Sequence, residues 1–146
     1  MIEAGAQVDH ANNEGLAALM ISCDNGHELC ARTLIEAGAQ VDHVETNGAT
    51  GLLLACEGGH VECARLLIDA GADVNRRMHD DAADGEGGFT PLIFACRNDH
   101  ESCARLLVEK GADVNKEVTA GGTTFTALRA ARGHAAICTL LEGWRI

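Results

Sequence analysis

Three times the chain places a histidine three residues before a cysteine: His27 and Cys30 in HELC, His60 and Cys63 in HVEC, His100 and Cys103 in HESC. Imidazole and thiolate are zinc ligands, and residues three apart share one face of a helix. A zinc site needs about four such ligands within roughly 2.0–2.3 Å of one point. One pair supplies only two, so a metal centre requires pairs to converge. None of the seven cysteines stands in a C-x-x-C spacing, which removes support for zinc-ribbon and thioredoxin-like chemistry. A cysteine nucleophile needs a depressed pKa and access. Catalysis needs such a residue once, whereas here the cysteine recurs in the same local setting. Cys138 is the least regular of the seven and still lies among apolar neighbours.

A second candidate lies in RRMHDDAADGEGGFTPL, Arg76 to Leu92, which ends with the single proline. Asp80, Asp84 and Gly85 fall at the first, fifth and sixth offsets of a calcium loop. The third offset would be Ala82 and the twelfth Pro91, so two essential ligands are missing. No metal and no cofactor is expected.

The elements that carry these residues are repeated. CDNGHELCARTLIEAGAQVDH, from Cys23, aligns with CEGGHVECARLLIDAGADVNR, from Cys56, at a shift of 33 residues. CRNDHESCARLLVEKGADVNK, from Cys96, follows at a shift of 40. A weaker copy is AARGHAAICTLLEGW, Ala130 to Trp144, and MIEAGAQVDH at the start repeats LIEAGAQVDH from Leu34 with one change. The acidic, glycine-rich stretch is therefore an insertion of seven residues, about Met78 to Asp84, inside a regular series. The units divide as a partial repeat 1–11, repeats 12–44 and 45–77, a repeat with the insertion 78–117, and a degenerate C-terminal repeat or cap 118–146.

Each unit reads as two short helices. The first begins near Ala17, Thr50 or Thr90 and carries Leu19 and Cys23, Leu52 and Cys56, or Leu92 and Cys96 on its apolar face. A turn follows, where Gly26 and Gly59 suit a left-handed residue and Asp99 suits it less. The second helix runs over about Glu28–Ala37, Val61–Ala70 and Glu101–Lys110, with Cys30, Ala31, Leu34 and Ile35 on one stripe. Gly38, Gly71 and Gly111 then stop it. Helices this short are unstable alone, so stacking of neighbours must supply the core. Neighbouring helices pack roughly 8–10 Å apart, which keeps the three His–Cys pairs in separate repeats. The same spacing argues against a Cys30–Cys63 or Cys63–Cys103 disulfide. The expected roles are structural histidines and core cysteines acting as small hydrophobes.

Composition sets outer limits. Residues number 146, 47% are hydrophobic, and eleven basic against twenty-two acidic residues leave a formal charge of −11. That is one foldable domain, not a disordered chain. The charge disfavours nucleic acid and anionic membrane surfaces. No apolar run is long enough to span a bilayer, and the N-terminus does not read as a secretory signal. Free thiols in this number point to a reducing, intracellular setting.

The 33-residue period, FTPLIFACRNDH and the recurring GADVN resemble ankyrin repeats, whose signature is T-P-L-H-x-A followed by G-H and G-A-D-V-N. The resemblance runs from Met1 to about Leu141. Only Thr90-Pro91-Leu92 keeps the Thr-Pro-Leu start, and Met20, Leu53 and Ile93 replace the family histidine, so the family's Thr–His hydrogen bond is expected to be absent. The fourth unit is short by two residues in its first helix and has a longer approach loop. The resemblance implies an all-α solenoid of stacked helix-turn-helix units with hairpin-like loops along one edge. It also implies a noncatalytic module binding proteins through a concave face and hairpin tips.

Transferred along the repeat, that face comprises Asn13, Glu14, Leu16, Asp24 and Asn25 in the first unit. Thr46, Asn47, Ala49 and Glu57 follow in the second, and Glu86, Phe89, Arg97 and Asn98 in the third. Leu16 and Phe89 are the apolar anchors, Phe89 above all because only 3% of residues are aromatic. The alternatives for these residues are a solvated acidic face and a Phe89 packed beneath the insertion. The insertion, with His79, Asp80, Asp81 and Asp84, reads either as a solvated extension or as a finger touching a basic partner. Because the chain opens inside a second helix, Met20, Leu29 and Thr33 are expected to leave apolar surface open to self-association. The resemblance further singles out Asn75 and Asn115, in GADVN, as candidates for asparagine hydroxylation.

Overall fold

The computed structural model of the chain describes residues 17–46, 48–79, 88–120 and 122–144. Four helix pairs follow one another: α1 (Ala18–Asp24) with α2 (Glu28–Glu36), α3 (Gly51–Gly58) with α4 (Val61–Asp69), α5 (Pro91–Arg97) with α6 (Glu101–Glu109), and α7 (Ala127–Ala130) with α8 (Ala135–Trp144). A small antiparallel hairpin, β1 (Val118–Ala120) and β2 (Thr123–Phe125), precedes the last pair, with Thr119 opposite Thr124. The first helices α1, α3, α5 and α7 touch in succession, and so do the second helices α2, α4, α6 and α8. The protein is thus an all-α solenoid of two parallel helix rows.

Local chemistry fixes where each helix starts. The Thr50 and Thr90 hydroxyls accept the N–H groups of Leu53 and Ile93 at 3.3 and 3.2 Å. That is the N-cap bond, worth about 1 kcal/mol. Pro91 occupies the first turn of α5, where its missing N–H costs nothing. Thr126 caps α7 in the same way, and α7 has only four residues, as the shortened fourth unit foretells. Ala17 offers α1 no such bond. Helices α2, α4 and α6 lack side-chain caps but place Glu28, Glu62 and Glu101 in their first turns, next to the positive end of the helix dipole. Glu28 and Glu101 also pair with Arg32 and Arg105 at 3.0 and 2.8 Å. Such exposed pairs add a few tenths of a kcal/mol at most.

Helices α2, α4 and α6 end alike. The N–H groups of Ala39, Ala72 and Ala112 return to the carbonyls of Leu34, Leu67 and Leu107, closing each last turn.

The turn between the helices of a pair ties one repeat to the one before it. His60 Nε2 donates to the Asp24 carbonyl at 3.0 Å, His100 to that of Glu57 at 2.9 Å, and His134 to that of Arg97 at 3.2 Å. Each imidazole lies over the preceding turn so closely that a Cβ on Gly26 would stand 2.5 Å from His60 Nδ1, and one on Gly59 2.5 Å from His100 Nδ1. Both glycines are also left-handed, at φ +74° and +77°. Asp99 takes the equivalent place at φ +60° and sets its carboxylate 3.5 Å from His134 Nδ1.

The core sits between the rows. Leu19, Leu52 and Leu92 from the first helices meet Leu34, Leu67 and Leu107 from the second, with Ala31, Ala64 and Ala104 allowing close approach. Burying each leucine is worth about 1.5–3 kcal/mol. A smaller cluster lies at the loop end: Leu53, Met78, Phe89, Ile93, Phe94 and Val118.

Candidate functional site

The thiols, the first chemical candidates, belong to the core. Cys23 of α1 hydrogen-bonds with Cys63 of α4, and Cys56 of α3 with Cys103 of α6. Cys96 of α5 lies near Cys138 of α8, whose Sγ donates to the Ala131 carbonyl at 3.3 Å. Every pair joins a first-helix cysteine to the second helix of the next repeat. Burial pushes the Cys23 thiol up to about 12, helped by the nearby Cys63, and burial does the same to Cys96, helped by Cys138. Burial also raises Cys63. In the central pair, the hydrogen bond to Cys103 and then burial hold Cys56 well above the usual thiol range.

The His–Cys spacing dissolves for the same reason. His60 turns back to the Asp24 carbonyl while Cys63 turns to Cys23, and His100 and Cys103 divide likewise. Among the described residues, no three His, Cys, Asp or Glu side chains are grouped to hold a metal ion. One thiol departs from the expected core role: Cys30 is exposed on α2. Its counterparts Cys63 and Cys103 are covered by a cysteine of the previous repeat, whereas the residues before Ala17 lie outside the described part.

The outer face of the first helices is built by a simple rule. Leu19 and Cys23, four apart, point into the core; positions 21, 24 and 25 therefore share the opposite side. The rule recurs at 54, 57 and 58, and at 94, 97 and 98. Since α1, α3 and α5 stand side by side, these sets form one continuous strip. Asp24, Asn25 and Glu57 are exposed on it, and Asn98 is half-buried, with its amide donating to the Glu57 carbonyl at 3.2 Å. Two residues that sequence reasoning passed over belong here. Ile21 is 42% exposed and Leu54 is half-buried. No signal in the sequence marked them, because the aligned residue of the third unit, Phe94, is buried.

Phe89 corrects an expectation. It is 2% exposed, so it is a core residue and not a surface anchor. Its carbonyl accepts the Met78 N–H at 2.9 Å. Its ring meets Phe94 edge-on at 5.4 Å, and the Arg97 guanidinium covers both rings at 5.2 and 5.3 Å. The scarce aromatics stabilise each other and leave Arg97 as the outermost group. Ala49 is likewise buried, its N–H bonded to Glu45 Oε1 at 3.0 Å, and Met20 is buried too. Leu29, by contrast, is 77% exposed, and Thr33 is exposed beside it. Thr46 and His79 are exposed at the loop edge, as are Asn75 and Asn115, with Asn75 Oδ1 accepting the Asp113 N–H. Asn13, Glu14, Leu16, Asn47, Asp80, Asp81, Asp84 and Glu86 lie outside the described residues.

No described helix is long and apolar enough to cross a membrane. A comparison with curated proteins found no match. The family model for ankyrin repeats matches three times, over residues 1–78, 45–118 and 78–143. Those matches join the two helix rows and the histidine-bound turns to one conclusion: the chain belongs to the ankyrin-repeat family, whose members are generally protein–protein interaction modules.

Proposed function

We propose that the protein is a noncatalytic intracellular scaffold or adaptor that holds a protein partner on the strip formed by α1, α3 and α5, with the adjacent loop edge contributing. The observation that carries this reading is the composition of the strip. An aliphatic row, Ile21 then Leu54, runs beside an acidic row, Asp24 then Glu57, and the stacked Arg97 stands at the far end. A segment with an apolar side chain flanked by lysine or arginine complements that pattern. The apolar group supplies affinity, and the charges set register and association rate. The apolar surface around Leu29 supports a second, weaker contact, self-association through α2.

Selection of binders from a displayed random-peptide library tests the reading. Enriched sequences are expected to pair a large apolar residue with Lys or Arg. Their affinity should fall about tenfold or more when Leu54 becomes Asp, an anchor-scale loss. Glu57→Lys should reverse the charge preference. Binders that tolerate both changes would reject the strip as the recognition surface.

A further inference from the structure

The cations of this acidic protein are unevenly placed. Arg32, Arg65 and Arg105 each pair with a glutamate one turn earlier on the same helix, Lys110 reaches Asp69, and Arg97 is stacked on the two phenylalanines. Arg129 and Arg132 line a cleft with Glu117 and Glu142, and Arg76, Arg77 and Lys116, with His79, line one of about 570 Å³. It lies between the loop leaving α4 and the loop leaving α6.

The walls of this cleft are preset. The Asp113 N–H donates to Asn75 Oδ1 at 2.8 Å, locking one loop to the other, and the Asp73 N–H donates to Asp42 Oδ1 at 3.2 Å in the loop before. The two carboxylates of the cleft each close their own turn and keep their charge, so Arg76, Arg77 and Lys116 exceed them by one. Asp73 accepts the Asn75 N–H at 2.9 Å, and Asp113 accepts the Asn115 N–H at 3.0 Å. Buried Met78 anchors the chain just after the arginines through its bond to the Phe89 carbonyl. Arg76 is half-buried and Lys116 exposed, so one guanidinium and one ammonium extend from a rigid frame.

We propose that this cleft is a second docking site, for a carboxylate-rich segment of a protein partner. A guanidinium takes a carboxylate through two parallel N–H bonds, and a nearby ammonium can hold a second carboxylate as a point charge. The strip bearing Asp24 and Glu57 repels such a segment, so the two surfaces sort ligands of opposite charge. The cleft shares no residue with the first-helix strip; it rests on the loop-edge part of the proposed reading and deepens it by naming the charge of the segment that docks there, and a negatively charged probe tests it separately from the apolar and basic peptides expected on the strip.

The test uses the full chain and a fluorescein-labelled octaglutamate peptide, followed by anisotropy at low salt. The unaltered protein should bind, with affinity falling as salt rises. The Arg76→Glu, Lys116→Glu double variant should bind about tenfold or more weakly. The Arg65→Glu, Arg105→Glu double variant changes net charge equally but lies away from the cleft, and should stay within about twofold. Circular dichroism of each variant confirms that it is folded. Absence of octaglutamate binding, or equal losses in both double variants, would overturn the proposal. Displacement of the peptide by tripolyphosphate at concentrations where free glutamate fails would overturn the carboxylate assignment in favour of a phosphate ligand.

Discussion

Burial opposes the thiolate that reacts, so a buried thiol is shielded from reagent and a poor nucleophile. Cys103 alone among the five buried thiols is held below its usual range, by its hydrogen bond with Cys56, and relies on burial for protection. Burial separates the seven cysteines of this chain into two kinds. Cys23, Cys56, Cys63, Cys96 and Cys103 are buried, Cys138 is partly so, and Cys30 is exposed on α2. Brief treatment of the native protein with an aromatic disulfide reagent should label Cys30 first and leave the five buried thiols unmodified; peptide mass spectrometry reads the sites. Fast labelling of Cys23 or Cys96 would show that the helix rows are not packed as described. At this scale the sequence was only partly legible. The core role of most cysteines follows from their place on the apolar stripe. Their pairing across repeats does not, because it joins a first helix to the second helix of the next unit, and spacing within one copy is blind to that. Phe89 was left between surface anchor and packed residue for a related reason: its cover comes from Phe94 and Arg97, contacts that only the folded α5 creates.

Elements in this protein are joined end to end by small polar bonds as much as by apolar contact. The His100 imidazole is the clearest case, since it both fills the space above Gly59 and donates to the Glu57 carbonyl. His100→Ala removes one hydrogen bond and the ring's packing. We expect a loss of about 1–2 kcal/mol in urea unfolding, with the helix content of the native state unchanged. No change in midpoint would mean that the turn histidines do not hold adjacent repeats together. The helices themselves were legible. Thr90 before Pro91, and the glycines after each second helix, bound elements whose observed limits differ from expectation by a residue or so, the usual fraying of ends. The strip of positions 21, 24 and 25 was half-read. Polar Asp24 and Asn25 announce exposure, whereas Ile21 and Leu54 look like core until the rows are stacked.

For the whole molecule, the buried thiols set an alkaline limit. Cys23 and Cys96 rise from an ordinary value of 9.0 to about 12 in the folded state. Below pH 9 both states keep these protons and the contribution is fully present. Between pH 9 and about 12 the unfolded chain sheds protons that the folded one retains. Stability therefore falls as pH rises, by about 1.4 kcal/mol per pH unit for each thiol. Urea midpoints at pH 8 and pH 10 should differ in that direction, and a Cys23→Ala, Cys96→Ala protein should show a smaller difference. An unchanged difference would place the titration elsewhere.

Among the described residues no later repeat covers the outer side of the first-helix row, and recognition is proposed there. Nuclear magnetic resonance of the labelled protein, titrated with a peptide selected for binding, addresses this most directly. Shift changes should cluster on Ile21, Asp24, Asn25, Leu54, Glu57 and Asn98. A cluster on the outer sides of α2, α4 and α6 would contradict it.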